Sequence, residues 1–212
     1  MTLNHAEEQQ VEALKTWWKN YGPSVVVGIV LGVAVLGGYK YWVYQKAVTG
    51  EEASLLYAQT LLDFRANKEP LVRTNAGRLI DEYASTPYSD MAALLLAKLD
   101  YQAGNKAEAR KHLQWVVEHA EDDGLQHTAR LRLGRLMLEL KDYDAALKLL
   151  IIDEVPGFES EYHELRGDIY TAKGMTAQAR EAYQLALQKL LPGSGIKNIL
   201  EMKLANLGTE AS

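Results

Sequence analysis

The side chains best suited to proton transfer or metal binding in this sequence are five histidines, at 5, 112, 119, 127 and 163, and several runs of carboxylates. His112 and His119 stand seven residues apart on one helical stretch, with Asp122 and Asp123 close behind, so a metal site is the sharpest chemistry on offer. Its spacing argues against it. A helix that grips zinc presents histidines at i and i+4, as in His-Glu-x-x-His, and that pair is missing. The carboxylates Glu118, Glu121, Asp122 and Asp123, and Glu159, Glu161 and Glu164, follow helical surfaces as solvated charges do. Cysteine is absent, which excludes disulfides, thiol catalysis and cysteine-based zinc sites. No Walker motif, no Gly-x-Gly-x-x-Gly and no Gly-x-Ser-x-Gly occurs. The expectation is a protein with no catalytic residue, no cofactor and no metal.

The elements that would position any site begin with an apolar run. Between Lys19 and Lys40 there are 20 consecutive uncharged residues, unbroken and small or apolar from Val25 to Gly38. An apolar helix rises about 1.5 Å per residue, so roughly 20 residues cross a hydrocarbon core about 30 Å thick. Trp17, Trp18 and Tyr21 precede the run, and Tyr39, Tyr41, Trp42 and Tyr44 follow it, as aromatic belts at two interfaces would. The alternatives are a buried core helix and a cleaved signal peptide. The first usually keeps a polar face. The second wants a basic leader and a small-x-small exit, whereas this leader carries Glu7, Glu8 and Glu12 and the run exits into Tyr39-Lys40-Tyr41-Trp42. Residues 22–44 are therefore expected to be a transmembrane signal anchor. Residues 1–21 form a short amphipathic leader (Val11, Leu14, Trp18 and Tyr21 at helical spacing) that breaks at Gly22-Pro23. Lys15 and Lys19 before the span balance Lys40 and Lys46 after it, so charge leaves sidedness open. Ser24, Gly28 and Gly32 share one face of the span, where a partner helix could approach closely; simple tolerance of glycine in lipid reads equally well.

Residues 45–212 are polar and almost wholly helical in pattern, with helices expected at 47–66, 71–84, 89–103, 107–119, 125–140, 143–152, 160–173, 176–190 and 195–207. The first 44 residues hold three Lys and three Glu, so the net charge of −5 belongs to this region and argues against nucleic-acid binding. The helices recur in pairs. Gly104-Asn105-Lys106-Ala107-Glu108-Ala109 is echoed by Lys141-Asp142-Tyr143-Asp144-Ala145-Ala146 and by Gly174-Met175-Thr176-Ala177-Gln178-Ala179. Alanines 109, 146 and 179 lie 37 and 33 residues apart, a period near the ~34 of two-helix tetratricopeptide repeats. Gly167, Tyr170, Gly174, Ala179, Tyr183, Ala186 and Pro192 make the last unit the fullest match; Gly134 and Ala146, and Ala97 and Ala109, mark the others. The consensus tryptophan is missing throughout, so the repeats are degenerate, and a generic helical bundle is the competing reading. Residues 47–84 are expected to add a weaker pair. The fold class is thus all-α: one N-terminal transmembrane helix followed by a tetratricopeptide-like α-solenoid.

Such arrays hide each apolar stripe on a neighbour and leave a groove for protein segments. Counting from the aligned turns, Lys98, Tyr101, Arg135, Leu138, Glu164 and Asp168 should point into that groove; a solvated or self-packed face is the alternative. Mixed charge with Tyr101 and Leu138 suits a protein partner better than nucleic acid.

Three stretches carry a family resemblance. They are Glu7 to Gly22, then Gly28-Ile29-Val30-Leu31-Gly32 with Tyr39-Lys40-Tyr41-Trp42, and finally Met202-Lys203-Leu204-Ala205-Asn206-Leu207. With them the chain resembles the YfgM family, ancillary subunits of the bacterial Sec translocon. The resemblance implies an inner-membrane protein with a cytoplasmic N-terminus and periplasmic repeats. It implies association with SecYEG and with the membrane-anchored periplasmic chaperone PpiD, and a non-enzymatic role in handing over translocated clients. An envelope-stress regulatory protein that binds a cytoplasmic response regulator is the alternative. Expected partners are SecYEG, PpiD, unfolded clients and membrane lipid.

Overall fold

The structure is a computed structural model that describes residues 3–151 and 157–208. Every regular element among them is helical. By internal contacts the chain divides into two units, the first ending at Glu52 and the second starting at Ala53. Helix α1 (Leu3–Arg65) contributes residues to both.

In the first unit α1 is long and apolar enough to cross a membrane, and its apolar window is only 6% buried within the protein. Val26, Val27, Val30, Leu31, Val33, Val35 and Leu36 are all exposed, an arrangement that water would penalise and lipid would not. The expected break at Gly22-Pro23 is absent: α1 runs through it with Pro23 inside the helix. Proline deletes one hydrogen bond to the preceding turn, and membrane helices tolerate it because local adjustment re-satisfies the freed carbonyl. Gly22 supplies the space. Its missing Cβ would sit 3.2 Å from the Trp18 indole, which folds over it. The separate helix expected at 47–66 is likewise the continuation of α1.

In the second unit the end of α1 is followed by α2 (Glu69–Glu82), α3 (Pro87–Gln102), α4 (Lys106–His119), α5 (Asp123–Glu139), α6 (Tyr143–Leu149), α7 (Glu159–Ala172), α8 (Thr176–Gln188) and α9 (Lys197–Asn206). Pro70 and Pro87 stand in the first turns of α2 and α3, where the lost N–H has no helical partner anyway. The expected helix 143–152 ends at Leu149, and Ile152 lies outside the described residues.

Each pair turns in the same way. Gly104, Lys141 and Gly174 have φ of 81°, 61° and 73°, and Asn67 at 55° marks a fourth such turn between α1 and α2. The residue after each returns its N–H to the carbonyl five positions earlier: Lys68 to Asp63 (2.9 Å), Asn105 to Asp100 (2.8 Å), Asp142 to Met137 (2.9 Å), Met175 to Tyr170 (2.9 Å). This is the Schellman closure, which consumes carbonyls that a helix end would otherwise leave bare.

The turn sets the packing inside the pair. Seven positions before it stand Thr60, Ala97, Gly134 and Gly167, all buried. A Cβ on Gly167 would lie 2.4 Å from the Tyr183 ring, and one on Gly134 would lie 2.8 Å from Leu165. At Gly167 this lets the second helix of the pair, α8, close in; at Gly134 it admits Leu165 of α7, the first helix of the next pair. Ala109, Ala146 and Ala179 are fully or almost fully buried at the opposing position, and Val72 takes that place in the α1–α2 pair. The apolar core is spread along the array in three clusters. One centres on Ala53, Leu79 and Leu96, one runs from Ala93 to Ile169 across α3 to α7, and one gathers Ala179, Tyr183 and Leu200 at the C-terminal end. Contacts run between neighbouring helices, as in a solenoid.

Candidate protein-binding groove

The four turns place equivalent residues of the first helices in one register. Lys98, Arg135 and Asp168 each stand six positions before the left-handed residue, and Tyr101 and Leu138 three before it. The six groove residues expected from the sequence then part into two groups.

Lys98, Tyr101 and Arg135 line one cavity of about 480 Å³ between α3, α4 and α5. Its floor is apolar: Leu94, Ala97, Leu113 and Leu136. Its rim is charged. The Glu139 carboxylate is engaged by Lys106 at 2.6 Å, which, with the Tyr101 hydroxyl, holds it below the usual carboxylate range. Glu139 in turn holds the Tyr101 phenol above its ordinary value, so the ring stays neutral. Lys98 sits 5.1 Å over the Phe64 ring. Among the described residues Lys98, Arg132 and Arg135 meet no carboxylate. A smaller cavity of about 230 Å³ shares Leu94, Lys98 and Arg132 and continues the groove towards Tyr57 and Met91.

Leu138 is half-buried against the central core and does not line the cavity. Glu164 and Asp168 are already occupied. Lys203 of α9 donates from Nζ to Glu164 Oε1 at 2.7 Å and to the two Asp168 oxygens at 2.7 and 2.8 Å, and lies 5.7 Å from the Tyr183 ring. Burial alone would lower the Lys203 pKa, but the hydrogen bonds to Asp168 and Glu164 outweigh it and the value rises. Tyr183 donates its hydroxyl to Asp168 Oδ1 at 2.7 Å, and burial, with that carboxylate, pushes its own pKa far up. The C-terminal part of this register is a closed ionic cluster. Arg132 and Lys203 escaped the sequence reading. Arg132 stands nine positions before its turn, one helical step from the counted register. Lys203 belongs to an unpaired helix outside the period, though two carboxylates four residues apart at Glu164 and Asp168 do ask for a cation.

The histidines are dispersed. His112 Nε2 lies 3.3 Å from Asp100, which also accepts from Arg73 at 2.8 Å. His119 stacks on Trp115 with centroids 4.8 Å apart. His127 meets the Tyr162 hydroxyl at 3.1 Å. Burial lowers the pKa of His112, His127 and His163, which favours neutral rings. Among the described residues no three His, Asp or Glu side chains gather closely enough to hold a metal ion.

In the first unit Ser24, Gly28 and Gly32 lie exposed along α1, and a Cβ at either glycine would meet nothing within 4 Å. Trp17 pairs with Trp18 and Tyr21 on one side of the apolar run, and Tyr39 with Trp42 on the other.

Stacked helix pairs closed by left-handed turns, small residues at the crossings and an open face on the first helices define the class, a tetratricopeptide-like repeat protein. A family model described as a tetratricopeptide repeat-like domain matches residues 15–209. The chain is 33% identical to a Neisseria gonorrhoeae protein named ancillary SecYEG translocon subunit, over 98% of this chain and 100% of that one. Proteins of the same name from Haemophilus influenzae and Escherichia coli are each 29% identical over 98% of this chain, covering 100% and 99% of their own lengths. The chain belongs to the family of ancillary SecYEG translocon subunits.

Proposed function

We propose that this protein is a non-enzymatic, single-pass adaptor of the inner membrane that associates with the SecYEG translocon and passes translocated proteins to periplasmic chaperones. The observation that carries the reading is full-length similarity to proteins named ancillary SecYEG translocon subunits, with the apolar part of α1 included in the match. On this reading residues 22–44 are the membrane anchor, residues 1–21 are cytoplasmic and the repeats are periplasmic. The α3–α5 groove receives a segment of a partner, PpiD or an unfolded client, with Tyr101 as its aromatic contact and Lys98, Arg132 and Arg135 as its charged wall. Ser24, Gly28 and Gly32 form the face of the anchor on which a translocon helix packs.

Two measurements test it. A tagged full chain drawn from gently solubilised membranes should bring SecY and PpiD with it; recovery of intact chain without SecY would defeat the reading. A reporter active only in the periplasm, fused after Ser212, should be active, and activity of a cytoplasm-only reporter there would reverse the topology.

A further inference from the structure

Four positions of the repeat register meet different fates. Fourteen residues before the left-handed turns stand Ala53, Asp90, His127 and Ser160, all buried. His127 is satisfied by the Tyr162 hydroxyl, and Ser160 donates to the Ala186 carbonyl at 2.9 Å. Asp90 is only 5% exposed, yet its Oδ1 has no hydrogen-bond partner among the described residues. A buried polar atom left bare costs on the order of 1–3 kcal/mol, more when charged, so it marks either a defect or a place kept for something else.

Asp90 lines a cavity of about 320 Å³ with Ser85, Thr86, His119, Glu121 and Asp122. Among the described residues no cation pairs with any of the three carboxylates. Asp122 spends Oδ1 on the Leu125 N–H at 2.8 Å, as the cap of α5, and keeps its second oxygen. His119 Nδ1 lies 2.8 Å from the Trp115 carbonyl. A carbonyl only accepts, so Nδ1 carries the hydrogen. The N-terminus of α3 and the C-terminus of α4 both end at the cavity; their partial charges, about half a unit each and opposite in sign, largely offset one another. The carboxylates decide the potential.

We infer that this pocket receives the guanidinium of an arginine side chain presented by a partner protein. The carboxylates are too dispersed to ligate one metal ion. A planar fork of five N–H donors can reach separated acceptors, and it forms the strongest charge-assisted bonds to carboxylates. The volume fits a side chain rather than a bare ion. The site lies between the α2–α3 loop with the start of α3 and the α4–α5 loop, apart from the α3–α5 groove, and stands whether or not that groove binds a segment.

The test uses the full chain in detergent micelles, followed by NMR at the amides of Ser85, Thr86 and Glu121. The probes are N-acetyl-arginine methylamide and its neutral isostere, N-acetyl-citrulline methylamide. The arginine probe should give saturable shifts confined to these amides, with citrulline binding about ten-fold more weakly. Asp90→Ser, which installs the residue type found at the equivalent Ser160, should weaken the arginine probe about ten-fold and leave the fold intact. If that variant does not fold, Glu121→Gln replaces it and should weaken binding about three-fold or more. Equal shifts from citrulline, unchanged binding in the variant that folds, or shifts reproduced by matched sodium chloride would overturn the proposal. Displacement of the arginine probe by submillimolar calcium or magnesium chloride would overturn it too, in favour of a metal site.

Discussion

The α7–α9 end of the array and its α3–α5 middle share one repeat register but answer it differently. At the end, Glu164 and Asp168 are closed by Lys203, and Ser160 is satisfied by a backbone carbonyl. In the middle, Lys98, Arg132 and Arg135 meet no carboxylate among the described residues, and Asp90 meets no donor. A repeat protein must terminate its stack, and a terminal helix that supplies its own counter-charge does so. A central unit with charges of both signs unmet leaves surfaces that a partner could complete. On the function proposed above, the closed end serves stability and the open middle serves binding.

The largest expected effect is at the closed end. Lys203→Ala leaves Glu164 and Asp168 half-buried without their cation and should cost about 2–4 kcal/mol, read as a lowered melting midpoint. The folded-state pKa of Lys203 lies above the ordinary value, so this stabilisation is complete below about pH 10 and fades as pH rises through the folded pKa. Melting of the wild type above that pH should approach that of the variant.

Asp90 behaves in the opposite sense. Burial, then the Glu121 and Asp122 carboxylates, raise its pKa to about 6 against the partial relief of His119. A carboxyl whose folded pKa exceeds its unfolded one loses stability as pH rises between the two, here from about 4 to about 6. Asp90→Asn should therefore match the wild type near pH 4 and exceed it by about 2–3 kcal/mol near pH 7. Equal stability at both pH values would show that Asp90 is satisfied after all.

Gly167→Ala should cost about 1–3 kcal/mol, because the new Cβ meets a Tyr183 ring that is itself tied to Asp168. Gly134→Ala meets the end of a flexible leucine and should cost less. Smallest of all, Lys98→Ala with Arg135→Ala should change stability by under about 1 kcal/mol, since neither side chain is ion-paired and only the Lys98 contact with the Phe64 ring is lost. A large loss there would erase the distinction between open middle and closed end.

Much of this architecture was legible because glycine and proline punctuate it. Gly104, Gly174, Pro70 and Pro87 mark turns and helix starts by backbone geometry alone. The α1–α2 pair reads over 47–84 only as a weaker unit, because Asn67 takes the place of glycine at its turn and Val72 replaces the marker alanine. Gly22-Pro23 misled in the other direction, since a membrane-length helix can continue through a proline when local adjustment re-satisfies the freed carbonyl. Lys98, Tyr101 and Arg135 could be placed by period because one face of a regular repeat lies at fixed offsets from its turn. The Lys203 closure was invisible because it joins residues 35 and 39 positions apart through a helix with no repeat partner.

The most direct measurement compares two tagged full-length chains drawn from membranes under one gentle detergent, the wild type and one carrying Tyr101→Ala with Arg135→Ala. The wild type should recover both SecY and PpiD. The variant, folded and inserted, should keep SecY through its anchor and lose PpiD by about ten-fold, as truncating a central aromatic and its neighbouring charge implies. Undiminished recovery of PpiD by the variant, or absence of SecY from both, would contradict an adaptor that works through an open central groove.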